Sequence, residues 1–292
     1  MAKLIETNPA PFRHVDVDVV TLDLVENALR NARYEMDEVL FRTALSPGIR
    51  EQHDEFPLIG DPSGKMVVGQ FGLSIPDFLE NFEGTIEEGD VLLTSDPYSC
   101  GAAISHANDW LVVMPIFVDG RIVGWASMFG HMSDVGGKTA SSMPADARTI
   151  YEEGVVIPPF KLYKKGVLDE DALRIILNQV RKPDWNRADL NGIVAACRTA
   201  GRRVQEMCAR FGVDTYVAAL NALLDRNYRA MKTLLAMVFE EGKTLSFTDY
   251  ICDDGVGYGP YELKMSLTRT GDKVLIDLTG SSPQARGPIN YY

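Results

Sequence analysis

The sequence predicts an α+β protein: mixed antiparallel sheets, one of them carrying a long hairpin with a candidate metal site, and a three-helix antiparallel segment between two β-rich stretches. Three observations predict it. Two apolar runs, Trp110 to Val118 and Arg121 to Phe129, flank Asp119-Gly120, the strongest short-range signal for a two-residue type I′ hairpin turn. From Asp169 to Glu241, Ala, Leu, Val and Met alternate with Arg, Asp and Glu at helical spacing. Beyond Thr244 the alternation returns to a period of two.

Taken in order, Thr21 to Leu45 reads as one amphipathic helix. Leu22, Val25, Leu29, Ala32, Met36, Val39 and Leu40 recur on one side, and Ser46-Pro47-Gly48 ends it. Short strands follow around Pro57–Ile59 and Met66–Val68, joined by the Asp61-Pro-Ser-Gly64 turn. Asp90 to Thr94 is a further strand. After the hairpin, Gly136 to Pro159 is long, irregular and rich in Gly, Ser and Pro, as functional or disordered loops are. Gly136-Gly137 and Ser141-Ser142 would let backbone approach a ligand closely; a surface excursion is the alternative. Helices are expected over Asp169 to Val180, with Asp169 as N-cap, over Asn186 to Arg210, and over Asp214 to Glu241. Arg198, Arg202 and Arg203 could clamp an anion, though such residues are more often a solvated helix face. Strands close the chain over Leu245–Ile251, Tyr261–Thr268 and Val274–Leu278. The resulting division is an N-terminal α+β domain over 1–165, a helical segment over 166–243, and the start of an apparently incomplete β-rich domain over 244–292.

The hairpin ends hold the chemistry. Ser105-His106-Ala-Asn-Asp109 precedes the first strand and Gly130-His131-Met-Ser-Asp134 follows the second. A two-residue turn pairs Val118 with Arg121, which sets Asn108 opposite His131 and His106 opposite Ser133, unless Pro115 marks a bulge that shifts the register. Residues opposite or diagonal across such a ladder have Cβ atoms roughly 4.5–8 Å apart, so His106, Asp109 and His131 can meet, with Asp134 close by. Two imidazoles and a carboxylate are the ligand set of a catalytic divalent metal; a hydrogen-bonded polar loop would use the same residues.

Composition excludes some partners. The net charge is −12, with no Lys/Arg run, which argues against nucleic acid or an anionic membrane surface. No segment approaches the roughly 18 uninterrupted apolar residues of a membrane span, and the N-terminus lacks a signal-peptide core. Cys100, Cys197, Cys208 and Cys252 are scattered without a CxxC pair, which fits reduced thiols in a cytoplasmic protein. There is no G-x-x-x-x-G-K-[ST] motif, and the nearest Gly-rich run, Gly255-Val-Gly257-Tyr-Gly259, links two strands rather than a strand and a helix. The chain is therefore not expected to bind ATP itself.

Several strings together carry a family resemblance. They are Ser46-Pro-Gly-Ile-Arg-Glu51-Gln-His-Asp54, Ser95-Asp96-Pro97-Tyr98, His106-Ala-Asn-Asp109, Gly130-His131-Met-Ser-Asp134-Val-Gly-Gly137, Ser142-Met-Pro144, the long run from Ala147 to Leu162, and Gly280-Ser-Ser-Pro-Gln284 with Gly287-Pro-Ile-Asn290. The chain resembles the hydantoinase B family, which includes the B subunits of N-methylhydantoinases and 5-oxoprolinases, caprolactamase, and the metal-binding large subunits of acetone and acetophenone carboxylases.

The resemblance implies one divalent metal, zinc or manganese, on His106, Asp109 and His131. It matches Glu51 to a family glutamate that opens and closes the site, and leaves Asp54 and Asp134 as carboxylates that would orient a ligating imidazole. It also implies a hetero-oligomer in which a hydantoinase A-type subunit binds ATP and phosphorylates a small-molecule substrate. Gly130-His131-Met132-Ser133-Asp134 departs from the His-His-Ala-Asp string of hydantoinase-type members. That departure favours the catalytic subunit of an ATP-dependent ketone carboxylase, with the B subunit of an ATP-dependent cyclic amide hydrolase as the alternative and a non-catalytic scaffold as a third reading. Known members are longer, so the resemblance implies either a truncated chain or a short homologue completed by a partner.

Overall fold

Asp18 starts the first helix: its carboxylate accepts from the backbone N–H groups of Val20 and Thr21, each at 3.0 Å. The computed structural model describes residues 12–70 and 75–290. The extreme N-terminus, read above for targeting signals, and Tyr291-Tyr292 lie outside the described residues. The chain forms two compact units. One comprises the described residues of Met1–Met143 together with Ile150–Leu223; the other comprises Pro144–Thr149 and Leu224–Tyr291.

In the first unit α1 (Val19–Thr43) buries Val25, Leu29, Ala32, Met36 and Leu40, the stripe its sequence spacing predicts. A short α2 (Pro47–Arg50) follows. The sheet has seven strands, every pair antiparallel: β1 (Glu55–Gly60), β2 (Met66–Gly69), β3 (Val91–Thr94), β4 (Asp109–Val118), β5 (Arg121–His131), β6 (Phe160–Lys164) and β7 (Val167–Leu168), in the order β2-β1-β5-β4-β3-β6-β7. The helix α3 (Ile75–Asn81) between β2 and β3 was not read from the sequence. Two further helices, α4 (Glu170–Leu177), capped by Asp169 as expected, and α5 (Pro183–Phe211), complete the layer before α6 (Val213–Val238) begins.

β4 and β5 are buried on both faces. Trp110, Val112, Ala126 and Met128 pack toward α1 and α5, and Leu111, Val113, Trp125 and Phe129 toward α3. This explains why their sequences read as nearly continuous apolar runs rather than alternating ones. The principal helix contact is α1 against α5, side by side on one face of this sheet, so α5 finds its main partner far away in sequence rather than in the expected three-helix segment. Gly192 permits the approach: a Cβ there would lie 2.6 Å from Thr43 Oγ1 and 3.0 Å from Leu40 Cδ1. The α+β expectation is met. The domain boundary expected near 165 instead falls inside this unit, because β6 and β7 extend the sheet and α5 packs on it.

The hairpin register differs from the two-residue-turn expectation. Val118 pairs with Arg121 and Phe117 with Ile122, but Ile116 pairs with Gly124, leaving Val123 as an extra residue. This bulge moves every later pair by one, so Asp109, not Asn108, stands opposite His131. Gly124 fits the bulge because a Cβ there would lie 2.7 Å from the Gly60 carbonyl oxygen of the neighbouring strand.

Two acids meet on the helix-facing side. Glu55, at the start of β1, is buried beside Asp37 of α1, whose carboxylate lies 3.2 Å from the Arg33 guanidinium. Burial and the negative charge of Asp37 push the Glu55 carboxyl up to about 9. Burial also raises Asp37 against the pull of Arg33. The pair therefore carries a proton at neutral pH.

The second unit holds the later part of α6 and a three-stranded antiparallel sheet, β8 (Thr244–Ile251), β9 (Tyr261–Thr270) and β10 (Lys273–Asp277), in the order β10-β9-β8. The Gly-rich link between β8 and β9 wraps around buried Asp254, whose carboxylate accepts from the N–H groups of Val256, Tyr258 and Gly287 and from the Tyr261 hydroxyl. Among the described residues no helix is long and apolar enough to cross a membrane. The four cysteines are free thiols.

Candidate metal centre

The hydrogen-bonded ladder continues past both hairpin ends. Met132 N–H donates to the Asn108 carbonyl at 2.9 Å, and Asn108 Nδ2 donates to the Met132 carbonyl at 3.0 Å. On the other side, His131 N–H donates to the Asp54 carbonyl at 3.1 Å. Asp54, His131 and Asp109 thus form a row across three neighbouring strands. A turn closed by Asp109 N–H on the His106 carbonyl folds His106 back over the row.

Three donor atoms converge. His106 Nε2 lies 3.1 Å from Asp109 Oδ1 and 3.1 Å from His131 Nδ1, and His131 Nδ1 lies 3.1 Å from Asp109 Oδ1. Asp109 is buried, and the two imidazoles are 26% and 17% exposed, so the cluster is anchored yet open to solvent.

Hydrogen bonds alone do not satisfy this triangle. Two N–H groups aimed at one carboxylate oxygen would leave the two nitrogens opposing each other at contact distance, so at least one imidazole must present a lone pair. Three donors about 2.1 Å from a common centre lie about 3.0–3.4 Å from one another in octahedral or tetrahedral geometry, which these separations match. The set is the one among the described residues whose His, Cys, Asp or Glu donors gather this way.

The electrostatics point the same way. Burial opposes a charge on His106, but the hydrogen bond and charge of Asp109, helped by Glu153 and Asp54, outweigh it and raise the imidazole. Burial likewise opposes ionised Asp109, yet the hydrogen bonds from His106 and His131 hold it below the usual carboxylate range. A negative pocket of this kind favours a cation.

The other sequence candidates divide. Asp54 Oδ2 lies 3.6 Å from His131 Nδ1, at the edge of the cluster. Glu51 is exposed at the end of α2 and pairs with Arg50 at 3.0 Å, although Gly48 of the same short helix lies against the His131 ring. Asp134 is buried but turned into the following loop. It accepts from Gly136 N–H at 3.0 Å, Ser141 N–H at 2.8 Å and the Arg181 guanidinium at 3.2 Å, so its carboxylate is committed there and does not orient an imidazole.

The loop glycines serve packing as well. A Cβ on Gly136 would meet the Gln179 carbonyl at 2.5 Å, and one on Gly137 the Glu152 and Glu153 carbonyls at 2.5 Å, so the space read as a ligand approach is filled by backbone. The candidate anion clamp is likewise occupied. Arg203 pairs with Glu35 and Glu206, Arg202 donates to Thr199, and Arg198 stacks on Tyr163.

Two neighbours of the cluster were missed as site residues. Ser105 Oγ lies 2.9 Å from His106 Nδ1, the ring nitrogen that does not face the cluster. Glu153 is half-buried near His106, held by the Ala107 N–H, with its carboxyl raised by burial. Its only signal in the sequence was its place in the string from Ala147 to Leu162.

The family model for hydantoinase B/oxoprolinase matches residues 18–292, and the chain belongs to that family. Caprolactamase subunit beta of Pseudomonas jessenii is 33% identical over 94% of this chain and 48% of its own length. The crystal structure of the ATP-dependent caprolactamase from that organism has a TM-score of 0.83 over 94% of this chain and 48% of that one, at 29% identity. A 5-oxoprolinase of Dictyostelium discoideum is 27% identical over 94% of this chain and 22% of its own length. The acetophenone carboxylase delta subunit of Aromatoleum aromaticum is 28% identical over 75% of this chain and 31% of its own. The chain thus spans about half the length of the caprolactamase subunit and less of the other two. The family unites cyclic amide hydrolases with carboxylases, and two of these relatives are named as subunits of larger enzymes.

Proposed function

We propose that this chain is the metal-binding part of an ATP-dependent cyclic amide hydrolase that works with a separate ATP-binding subunit of the hydantoinase A type. The observation that carries the substrate class is the 33% identity with a caprolactamase subunit across 94% of the chain, against 28% across 75% for the carboxylase subunit. This reading replaces the ketone carboxylase expected from the Gly130–Asp134 string. Gly130 there answers to packing, since a Cβ would lie 2.7 Å from Ile49 Cδ1 and 3.1 Å from Ile193 Cδ1.

A lactam carbonyl is a poor electrophile, and phosphorylation of its oxygen by the partner would make the ring carbon reactive toward water. A divalent ion, zinc or manganese, held by His106, Asp109 and His131 would supply Lewis acidity and a water of lowered pKa. The chain's own residues do the rest. Asp109 supplies the negative charge, with one carboxylate oxygen 3.1 Å from a nitrogen of each ring. Ser105 holds the far nitrogen of His106 and so the orientation of its ring. Glu153, half-buried and held by the Ala107 N–H, is the further acid near His106 that this reading assigns to proton exchange.

The test is co-expression with a hydantoinase A-type partner and assay with ATP of caprolactam, a hydantoin and 5-oxoproline, against bicarbonate with acetone or acetophenone. Ring opening coupled to ATP hydrolysis, lost in His131→Ala, is the expected result. Carboxylated ketone without ring opening would overturn the reading.

A further inference from the structure

Asp189 of α5 is a fully buried carboxylate outside the metal cluster. Its Oδ1 accepts the Leu45 N–H at 2.6 Å and the Ser46 N–H at 3.3 Å, and its Oδ2 lies 3.2 Å from the same Ser46 nitrogen. Those two N–H groups lead into α2, where Ser46 stands at the N-cap but its hydroxyl makes no capping bond. The hydroxyl is used elsewhere: it accepts the Ser133 N–H at 3.0 Å. Buried backbone N–H groups need partners, and here a residue 143 positions away supplies one.

The short helix α2 is in turn built against His131. A Cβ on Gly48 would lie 3.5 Å from His131 Cδ2, so the α2 backbone runs along the imidazole. The Gly48 carbonyl accepts the Asp54 N–H at 2.9 Å, and the Asp54 carbonyl accepts the His131 N–H at 3.1 Å. α2 therefore reaches His131 by three routes: at the ring through Gly48, at the backbone N–H through Asp54, and two residues further on through Ser46 and Ser133. α5 flanks the same segment. A Cβ on Gly130 would lie 3.1 Å from Ile193 Cδ1, and Asn186 Nδ2 donates to the Asp134 carbonyl at 2.8 Å. Asn186, Asp189 and Ile193 recur at helical spacing on one side of α5. Groups behind a ligating imidazole set its orientation. We infer that Asp189 is a positioning residue for His131: by pinning the start of α2 it holds the imidazole in line with His106 and Asp109. The inference takes from the proposed function only that His131 is a metal ligand.

The experiment uses the full 292-residue chain with cobalt(II) as the probe. Asp189→Ala leaves two backbone N–H groups without their acceptor. It should weaken cobalt affinity by about 10–100-fold and change the visible d–d bands, which follow coordination geometry. Asp189→Asn keeps one acceptor oxygen, and Oδ1 alone already reaches both N–H groups, so it should restore most of the affinity and the spectrum. Ser46→Ala keeps Asp189 but strips the Ser133 N–H of its acceptor. It should shift the same bands, and adding it to Asp189→Ala should cost less than the sum of the two. Val204→Ala is the control, a cavity in the same helix about 22 Å further along. It should lower the melting temperature and leave affinity and spectrum unchanged. Amide exchange in the metal-free protein reads the same link without the metal. Asp189→Ala and Ser46→Ala should speed exchange at His131 and Ser133 by at least about tenfold relative to amides in the middle of β4, and Val204→Ala should not. A parent chain that takes up no cobalt, while these amides respond as stated, would overturn the metal reading yet support Asp189 as the residue that positions His131. Unchanged affinity, spectrum and exchange in Asp189→Ala, or equal losses in Val204→Ala, would overturn the inference itself.

Discussion

The same four-residue pattern occurs at both ends of the hairpin, His106-Ala-Asn-Asp109 and His131-Met-Ser-Asp134, and the two aspartates do opposite things. Asp109 opens β4, directly across from His131, and one of its oxygens gathers two imidazoles at 3.1 Å. Asp134 lies three residues past the last paired residue of β5, and its oxygens gather backbone N–H groups and Arg181. Spacing is identical, so spacing does not decide the role. The ladder does: a carboxylate in register faces the neighbouring strand, while one beyond the ladder turns to whatever donors its loop offers. Each arrangement holds its carboxyl below the usual range for a different reason. Histidines outweigh burial at Asp109; the N–H groups of Gly136, Ser141 and Arg181, with its guanidinium, do so at Asp134.

The largest expected effect tests the first half of this contrast. Purified protein should hold one divalent ion. Asp109→Ala and His131→Ala should each weaken its binding by more than about 100-fold, beyond the 10–100-fold typical of changes behind the ligands. Metal analysis and calorimetry read this directly, and a stoichiometric ion in the His106→Ala/His131→Ala double variant would sink the assignment. The pH dependence has a fixed sign. A ligating imidazole must be neutral, and His106 is raised above about 6.5, so affinity should fall as pH drops through its folded-state value.

Asp134→Ala should do the reverse: full metal content and lower stability. Its partners hold a loop in which Ser141, Ser142 and Met143 all have positive φ, between 55° and 67°, a conformation that persists only when neighbours over-determine it. Arg181 reinforces the same loop through the carbonyls of Gly136 and Thr139, each at 2.9 Å. Losing the carboxylate should cost about 3 kcal/mol in denaturant melts at pH 7, from several charge-assisted bonds that do not add fully. Because the folded pKa is depressed, this contribution is present above about 3.9 and is lost as pH falls through the folded value. A metal-free but normally stable variant would reverse the roles assigned to the two aspartates.

A third carboxyl extends the comparison to the helix-facing side of the sheet. Glu55 is next in sequence to Asp54 but buried against Asp37, with Arg33 the nearest cation and His53, Asp54 and Glu38 the other charges around the pair. Its folded pKa of about 9 lies above the unfolded value of about 4.3. The stability it contributes as a neutral acid is therefore fully present below about 4.3 and is lost as pH rises through 9. Glu55→Gln stays neutral throughout, so it should flatten that decline and be about 1–2 kcal/mol more stable than the parent at pH 8. Equal slopes of melting temperature against pH in the two proteins would show that the pair carries no proton.

These cases show how far residue patterns reach. Asp169 as a cap, the stripe on α1, the Asp119-Gly120 turn and the three late strands were all legible, because each rests on neighbours in sequence. The three clustered residues were legible as a set because a hairpin brings its ends together whatever its exact register. Their pairing was not, since the bulge at Val123 depends on the close passage of the Gly60 carbonyl on another strand. The same limit hid the α1–α5 contact and the part played by Arg181, which reaches a loop about 45 residues away. Glu51 and Asp134 looked alike to Asp54 and Asp109 in sequence, and only the side to which each chain segment turns separates them.

The smallest expected effect compares the two remaining acids, Asp54 and Glu51, which lie three residues apart. Asp54 stands in the strand row next to His131, its carboxylate 3.6 Å from the ligating nitrogen and its carbonyl accepting the His131 N–H. It is too far for a direct hydrogen bond, so its influence on the cluster is the field of a half-exposed charge, which water screens. Asp54→Asn keeps the carbonyl and the shape while removing the charge, and should weaken metal binding by less than about tenfold, about 1 kcal/mol. Glu51 has no such placement: it is exposed and spends its charge on Arg50. Glu51→Gln should leave metal affinity and melting temperature unchanged within error, and lower turnover only if the residue approaches the site during the reaction. Calorimetric titration of both variants at low and at high salt separates the cases. A salt-dependent loss for Asp54→Asn and none for Glu51→Gln fits the row described here. An equal loss in both would mean that Glu51 acts on the ion as strongly as Asp54 does.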